Sequence, residues 1–144
     1  MHNATVTLFN FHKPTGKWHT TEFHNVTLTE ANAGTPTPDA GIRSADAVEL
    51  IIRTAADRSG TENGVTVRYV VPKEYAALEN PVGHFTFKPE QDFFYAGSFT
   101  AGPYSGDDYD NGFYHFMKQN HDGVYMIQSC AFYSLIPHFE IGGR

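Results

Sequence analysis

Short runs of strict alternation, broken at close intervals by turn-forming residues, limit this chain more than any other feature of its sequence. Ala4, Val6 and Leu8 alternate with Thr5, Thr7 and Phe9, a period of two in β-branched and apolar residues that suits a half-buried strand. Trp18 to Leu28 repeats the pattern after His12-Lys13-Pro14-Thr15-Gly16. That turn joins a proline of fixed φ to a glycine free to take positive φ, so the first two strands read as a long hairpin. Asp46 to Thr54 and Val65 to Val71 give two further strands on either side of the polar turn Asp57 to Gly64. Phe85-Thr86-Phe87 and Phe93-Phe94-Tyr95 flank Lys88-Pro89-Glu90-Gln91-Asp92 and predict a second hairpin. Val124 to Tyr133 is apolar on both alternating faces and reads as a central strand, with Pro137 to Ile141 as a last short one.

Helical pattern is scarce. Pro72 to Leu78 predicts one helix of two turns at most, because proline is tolerated in a first turn. Ser105-Gly106-Asp107-Asp108 resembles an N-cap with carboxylates at the positive end of a helix running over Tyr109 to Gln119, a pattern weakened by Asn111-Gly112. Glu30 to Gly41 holds two prolines, two glycines and no large apolar side chain, and predicts an exposed loop at about residues 30–41. No βαβ rhythm and no internal repeat is present. The fold class that follows is mainly β, a small β-barrel or sandwich with one or two short helices, in a single domain over residues 1–144.

Several chemistries fall away on composition and spacing. Sixteen acids against ten bases give a net charge of −6, the wrong sign for affinity built on neutralising phosphates. Cys130 has no second cysteine with which to form a disulfide or a zinc knuckle, and its apolar surroundings predict a buried, inert thiol. The eight histidines include neither an HxH pair nor an HExxH helix, and only distant segments such as those of His115, His121 and His138 could assemble a site. Asp107 to Gly112 resembles a calcium loop, but the register puts Tyr109 at an oxygen-ligand position and Lys118 where the closing glutamate belongs. The sequons at Asn3 and Asn25 read as strand residues. No nucleophile elbow, P-loop or dinucleotide fingerprint occurs. We therefore expect no enzyme activity, no cofactor and no metal site. No apolar run approaches the roughly 18 residues that span a bilayer, so no membrane partner is expected. With no basic and apolar leader pattern ahead of the first alternating segment, we expect synthesis in a cytoplasm.

The aromatics are the surplus. Twelve Phe, eight Tyr and one Trp exceed what a small barrel interior needs, which predicts exposed rings for protein, sugar or base contacts. The negative charge disfavours the bases.

Thr5-Val6-Thr7-Leu8-Phe9-Asn10, Gly41 to Val48, Val71-Pro72-Lys73-Glu74-Tyr75, Phe85-Thr86-Phe87-Lys88-Pro89 and His138 to Arg144 together resemble small structural proteins of tailed bacteriophages encoded between head and tail genes. The resemblance implies a non-enzymatic virion protein, a head-to-tail connector (stopper or head-closure) subunit of the neck. It further implies a homo-oligomeric ring that contacts portal or adaptor and tail proteins and passes DNA without binding it specifically. The implied location is the virion, and the host cytoplasm during assembly. Tail completion or a minor capsid role is the nearest alternative, and a small carbohydrate-binding β-module the alternative from another class. Partner contacts are expected in three segments, at Pro36 and Pro38 in the loop, at Tyr104 and Tyr109, and at Phe139 and Arg144 near the end.

Overall fold

The computed structural model of the chain describes residues 4–30, 48–100 and 102–144. Among these residues ten strands run in the order β1 (Ala4–His12), β2 (Lys17–Glu30), β3 (Val48–Arg53), β4 (Ser59–Glu62), β5 (Val65–Tyr69), β6 (His84–Phe85), β7 (Phe93–Tyr95), β8 (Tyr104–Ser105), β9 (Val124–Tyr133) and β10 (His138–Gly143). Helix α1 (Pro72–Ala77) lies between β5 and β6, and α2 (Phe113–Asn120) between β8 and β9. Pro36 and Pro38 lie outside the described residues, as does the expected 30–41 loop except for Glu30, which ends β2.

Six strands form a closed antiparallel barrel. Their order is β1-β7-β9-β10-β3-β2, and pairing of β2 back onto β1 completes the circle. Strand β2 makes closure possible by changing partners along its length. Lys17 to Val26 pair with β1, whereas Thr27 to Glu30 pair with β3. Just before the change stands Asn25, whose φ of 58° is a left-handed conformation that asparagine tolerates better than most residues. The opposing register shift between Ala4 and Val6 bends the strand in the way bulges turn barrel corners.

The two faces of β1 fill two cores. Val6 and Leu8 point into the barrel with Phe23, Ile52, Phe94 and Ile141. Phe9 points outward, where it packs with Phe93, Phe113, Met117 and Val124. The alternation predicted one wet face; instead α2 and the segment around Phe99 and Tyr104 cover it. Much of the aromatic surplus packs in the same place. Phe9 stacks on Phe93 with centroids 4.7 Å apart and meets Phe113 edge-on at 5.5 Å.

Several local expectations need correction. The polar stretch between β3 and β5 is itself a strand, β4, joined to β5 by Asn63-Gly64 with both residues at positive φ, the requirement of a tight hairpin turn. Lys88 to Asp92 does turn, with the amides of Gln91 and Asp92 donating to the Lys88 carbonyl, but its flanks do not pair with each other. Phe85 joins β5 in parallel, Phe85 and Phe87 fill the barrel core, and β7 pairs with β1 and β9. Helix α2 starts at Phe113, not at Tyr109. Asn111 at φ 62° and Gly112 at φ 92° break the chain there, and only a 3-10 turn forms over Gly106–Asp108.

Strand β10 ends in two buried glycines, and the second is required by its neighbours. A Cβ on Gly143 would lie 3.0 Å from the Phe94 ring and 3.2 Å from the Tyr125 Cβ. We expect Gly143→Ala to cost roughly 1–3 kcal/mol by overpacking, read as a lowered thermal midpoint. An unchanged midpoint would show that Phe94 can move aside.

Candidate interaction surfaces

One end of the barrel is closed by a polar hub that strand parity places inside. Asn10 lies two residues beyond Leu8 and Asp92 two before Phe94, so both follow interior side chains. The buried Asp92 carboxylate accepts from Asn10 Nδ2 at 2.9 Å, the Phe11 amide at 3.1 Å, the Lys88 amide at 3.1 Å and Gln91 Nε2 at 3.1 Å. Asn10 Nδ2 also donates to the Thr86 carbonyl at 2.6 Å, and Asn10 Oδ1 accepts from the Thr86 amide. Burial pushes Asp92 up to about 6, against the pull of its four N–H donors. Nearby, the buried His12 bonds the Leu78 carbonyl through Nε2 at 2.7 Å and Thr15 Oγ1 through Nδ1. A carbonyl only accepts, so Nε2 carries a proton. The hub ties β1, α1 and the β6 to β7 connection together, with the Asp92 carboxylate fully buried in it.

Other chemically suggestive groups are paired with neighbouring side chains. Glu22 accepts from Ser98 Oγ at 2.6 Å through Oε1 and faces His24 Nε2 at 2.9 Å through Oε2. Serine and histidine thus share one carboxylate instead of forming a nucleophile and base pair. The Cys130 thiol is pushed up to about 11 by burial, with Arg58 pulling it back, so it stays protonated at neutral pH. His121 packs edge-on against Tyr95 and Phe99, while His138 stacks on Tyr133 and bonds Glu140 at 2.9 Å. Among the described residues no three His, Cys, Asp or Glu side chains are placed to hold a metal ion, and no helix is long and apolar enough to cross a membrane.

The residues expected to meet partners divide. Phe139 is 1% exposed and packs on Tyr69, Phe87 and Phe132 inside the barrel. It is a core residue, because β10 turns that face inward together with Ile141. Tyr104 stacks on Phe113 at 4.9 Å and donates its hydroxyl to the Thr100 carbonyl; Tyr109 packs on Phe113 and Phe116. Both remain partly exposed, and Tyr109 lines an open cleft of about 680 Å³ together with Trp18, Asp107, Asp110 and Tyr114. Arg144 is exposed, while its backbone exchanges two 2.9 Å hydrogen bonds with Met126.

The most exposed apolar side chains lie elsewhere. In the turn from β9 to β10, Leu135 is 95% and Ile136 69% exposed, beside a half-exposed Tyr133. Val82 (72%) in the turn before β6 and Val65 (63%) at the start of β5 are exposed as well. Periodicity could not single these residues out, since apolar residues at strand ends look like core. The available signal was two large aliphatics between Ser134 and Pro137, where a solvated turn is normally polar.

No curated protein and no solved structure matches the chain. A family model described as a family of unknown function (DUF6751) matches residues 1–144. With the match running from the first residue to the last, the chain belongs to that family.

Proposed function

We propose that the chain is a non-enzymatic structural subunit of a tailed-bacteriophage virion, a head-to-tail connector of the neck. The observation that carries the reading is the β9 to β10 tip, where Leu135, Ile136 and Tyr133 stand in solvent on two strands of a closed barrel. Leu135 is the most exposed of the large apolar side chains, and exposed aliphatic and aromatic side chains on a rigid support are the material of protein interfaces. The net charge of −6 suits a subunit of a ring that passes DNA, since acidic walls repel phosphate within a Debye length of about 8–10 Å. The resemblance to proteins encoded between head and tail genes supplies the location. A carbohydrate-binding module would draw on the cleft beside Tyr109, but the rings there pack on one another, with Tyr104 against Phe113 and Tyr109 against Phe116.

Binding to a purified portal or adaptor ring from a phage that encodes the chain tests the reading. We expect saturable binding that weakens about tenfold or more in L135D/I136D, as loss of an anchoring cluster does. Failure of the unsubstituted chain to bind either ring or a tail-side partner would overturn the proposal.

A further inference from the structure

We propose that the cleft beside Trp18 and Tyr109 receives the β9 to β10 tip of a second copy of this chain; the proposal rests on the connector reading and names the contact that builds its ring. The cleft opens where the second core reaches the surface. Its base is aromatic and fixed from behind, with the Trp18 ring 5.1 Å from that of Phe93 and the Tyr109 ring 5.1 Å from that of Phe113. Asp107 and Asp110 also line it, and both are exposed. Among the described residues neither forms an ion pair, and no lysine or arginine lines the cleft. Half-buried rings under free carboxylates call for an occupant that is apolar at its end and cationic at its flanks.

The β9 to β10 tip has that composition. Leu135 and Ile136 stand in solvent at its end, and an arginine flanks the hairpin on each face. Tyr133, His138 and Arg53 are direct cross-strand neighbours and so share one face. Phe132, next in sequence to Tyr133, points to the other face, where the Arg58 guanidinium lies 4.8 Å from its ring. Both arginines are exposed, and neither has a carboxylate within 4.0 Å among the described residues. The acids nearby are engaged, Asp57 by Arg68 at 3.0 Å and Glu140 by His138 at 2.9 Å. On a chain of net charge −6 the tip is therefore a local cationic exception, and the cleft carries the charge that answers it.

Tip and cleft lie toward opposite ends of β9. Trp18 packs on Phe93, and Phe93 pairs with Met126; Tyr133 stands further along the same strand, roughly 20 Å away at strand rise. One molecule cannot fill its own cleft across that separation. Two unlike surfaces held apart on one rigid body make a heterologous contact, which closes into a ring or continues as a filament. A chain unable to form this contact also loses its multivalency toward a portal or adaptor ring.

Sedimentation velocity over a concentration series, with charges exchanged between the two surfaces, tests the contact. R53E/R58E makes the tip acidic, and D107R/D110R makes the cleft basic. All four side chains are exposed, and thermal melting checks that each variant folds. We expect the parent chain to form species larger than a dimer and each variant alone to stay monomeric, because its tip and cleft then carry like charge. In an equimolar mixture the acidic tip meets the basic cleft and the unaltered tip meets the unaltered cleft, so the mixture should recover species larger than a dimer. A parent chain that stays monomeric or stops at a dimer, a variant that assembles as the parent does, or a mixture that fails to recover would each overturn the contact. A chain that fails this test yet still binds the portal or adaptor ring refutes the contact and leaves the connector reading standing; a chain that fails both refutes both.

Discussion

Asp92→Ala is expected to destabilise the fold by roughly 3–5 kcal/mol, the range for stripping a buried charged group from its partners. The substitution leaves four N–H donors, from Asn10, Phe11, Lys88 and Gln91, facing a void inside the barrel end. For a chain of this size a kcal/mol corresponds to roughly 2–4 °C in the thermal midpoint, so the loss is readily measured. Asp92→Asn separates shape from charge. Oδ1 takes the Phe11 and Gln91 donors and Oδ2 the Asn10 and Lys88 donors, so the new amide nitrogen points at two donors whichever way it is turned. It should also cost stability, although less than alanine.

The pH dependence of the same residue has a defined sign. Its folded pKa of about 6 lies above the usual 3.8, so between those values the native state holds more protons than the unfolded state. The associated stability is fully present below pH 3.8 and is lost as pH rises to about 6, amounting to about 3 kcal/mol in all. His19 works in the other direction. Burial, aided by His12 and Lys17, lowers its pKa below 6.5, so its contribution is present above 6.5 and lost as pH falls. The difference between the parent chain and Asp92→Asn isolates the carboxylate. We expect that difference to change steadily between pH 4 and pH 6 and to be flat above; a difference independent of pH would mean that the four donors hold Asp92 ionised throughout.

Phe9→Ala is expected to cost roughly 3–5 kcal/mol, the usual range for a fully buried phenylalanine. The ring stacks on Phe93, meets Phe99 at 5.7 Å and Phe113 at 5.5 Å, and so joins the barrel wall to α2. The damage should be uneven. Hydrogen exchange should quicken most in α2 and in residues 97–100 and 102–109, which rest on this second core, and least in β10 and β3, which line the first. Uniform quickening would show that the two cores melt as one unit.

These two residues mark what the sequence could and could not disclose. The strand character of β1, β2 and β9 was legible because alternation is local, and α1 because proline announces a first turn. Burial of Phe9 was not, since the side chains covering it come from a helix more than a hundred residues later. The turn at Lys88 to Asp92 was legible from its composition, but its flanking strands pair with β5, β1 and β9, contacts that local pattern does not encode. Asp92 looked like a turn residue, and only closure of the barrel makes it a hub. Phe139 was expected at an interface because it stands near the end of the chain; the parity it shares with Ile141 already pointed inward. The apolar tip was hidden for the opposite reason, since Leu135 and Ile136 look like core until the turn exposes them.

Quantitative mass spectrometry of purified phage particles, with immunogold labelling at the head-to-tail junction, tests the central claim most directly. The account predicts the chain in mature particles at a fixed small copy number comparable with that of the portal, with label confined to the neck. Particles that lack the chain, or carry it in capsid-like abundance away from the neck, would contradict it.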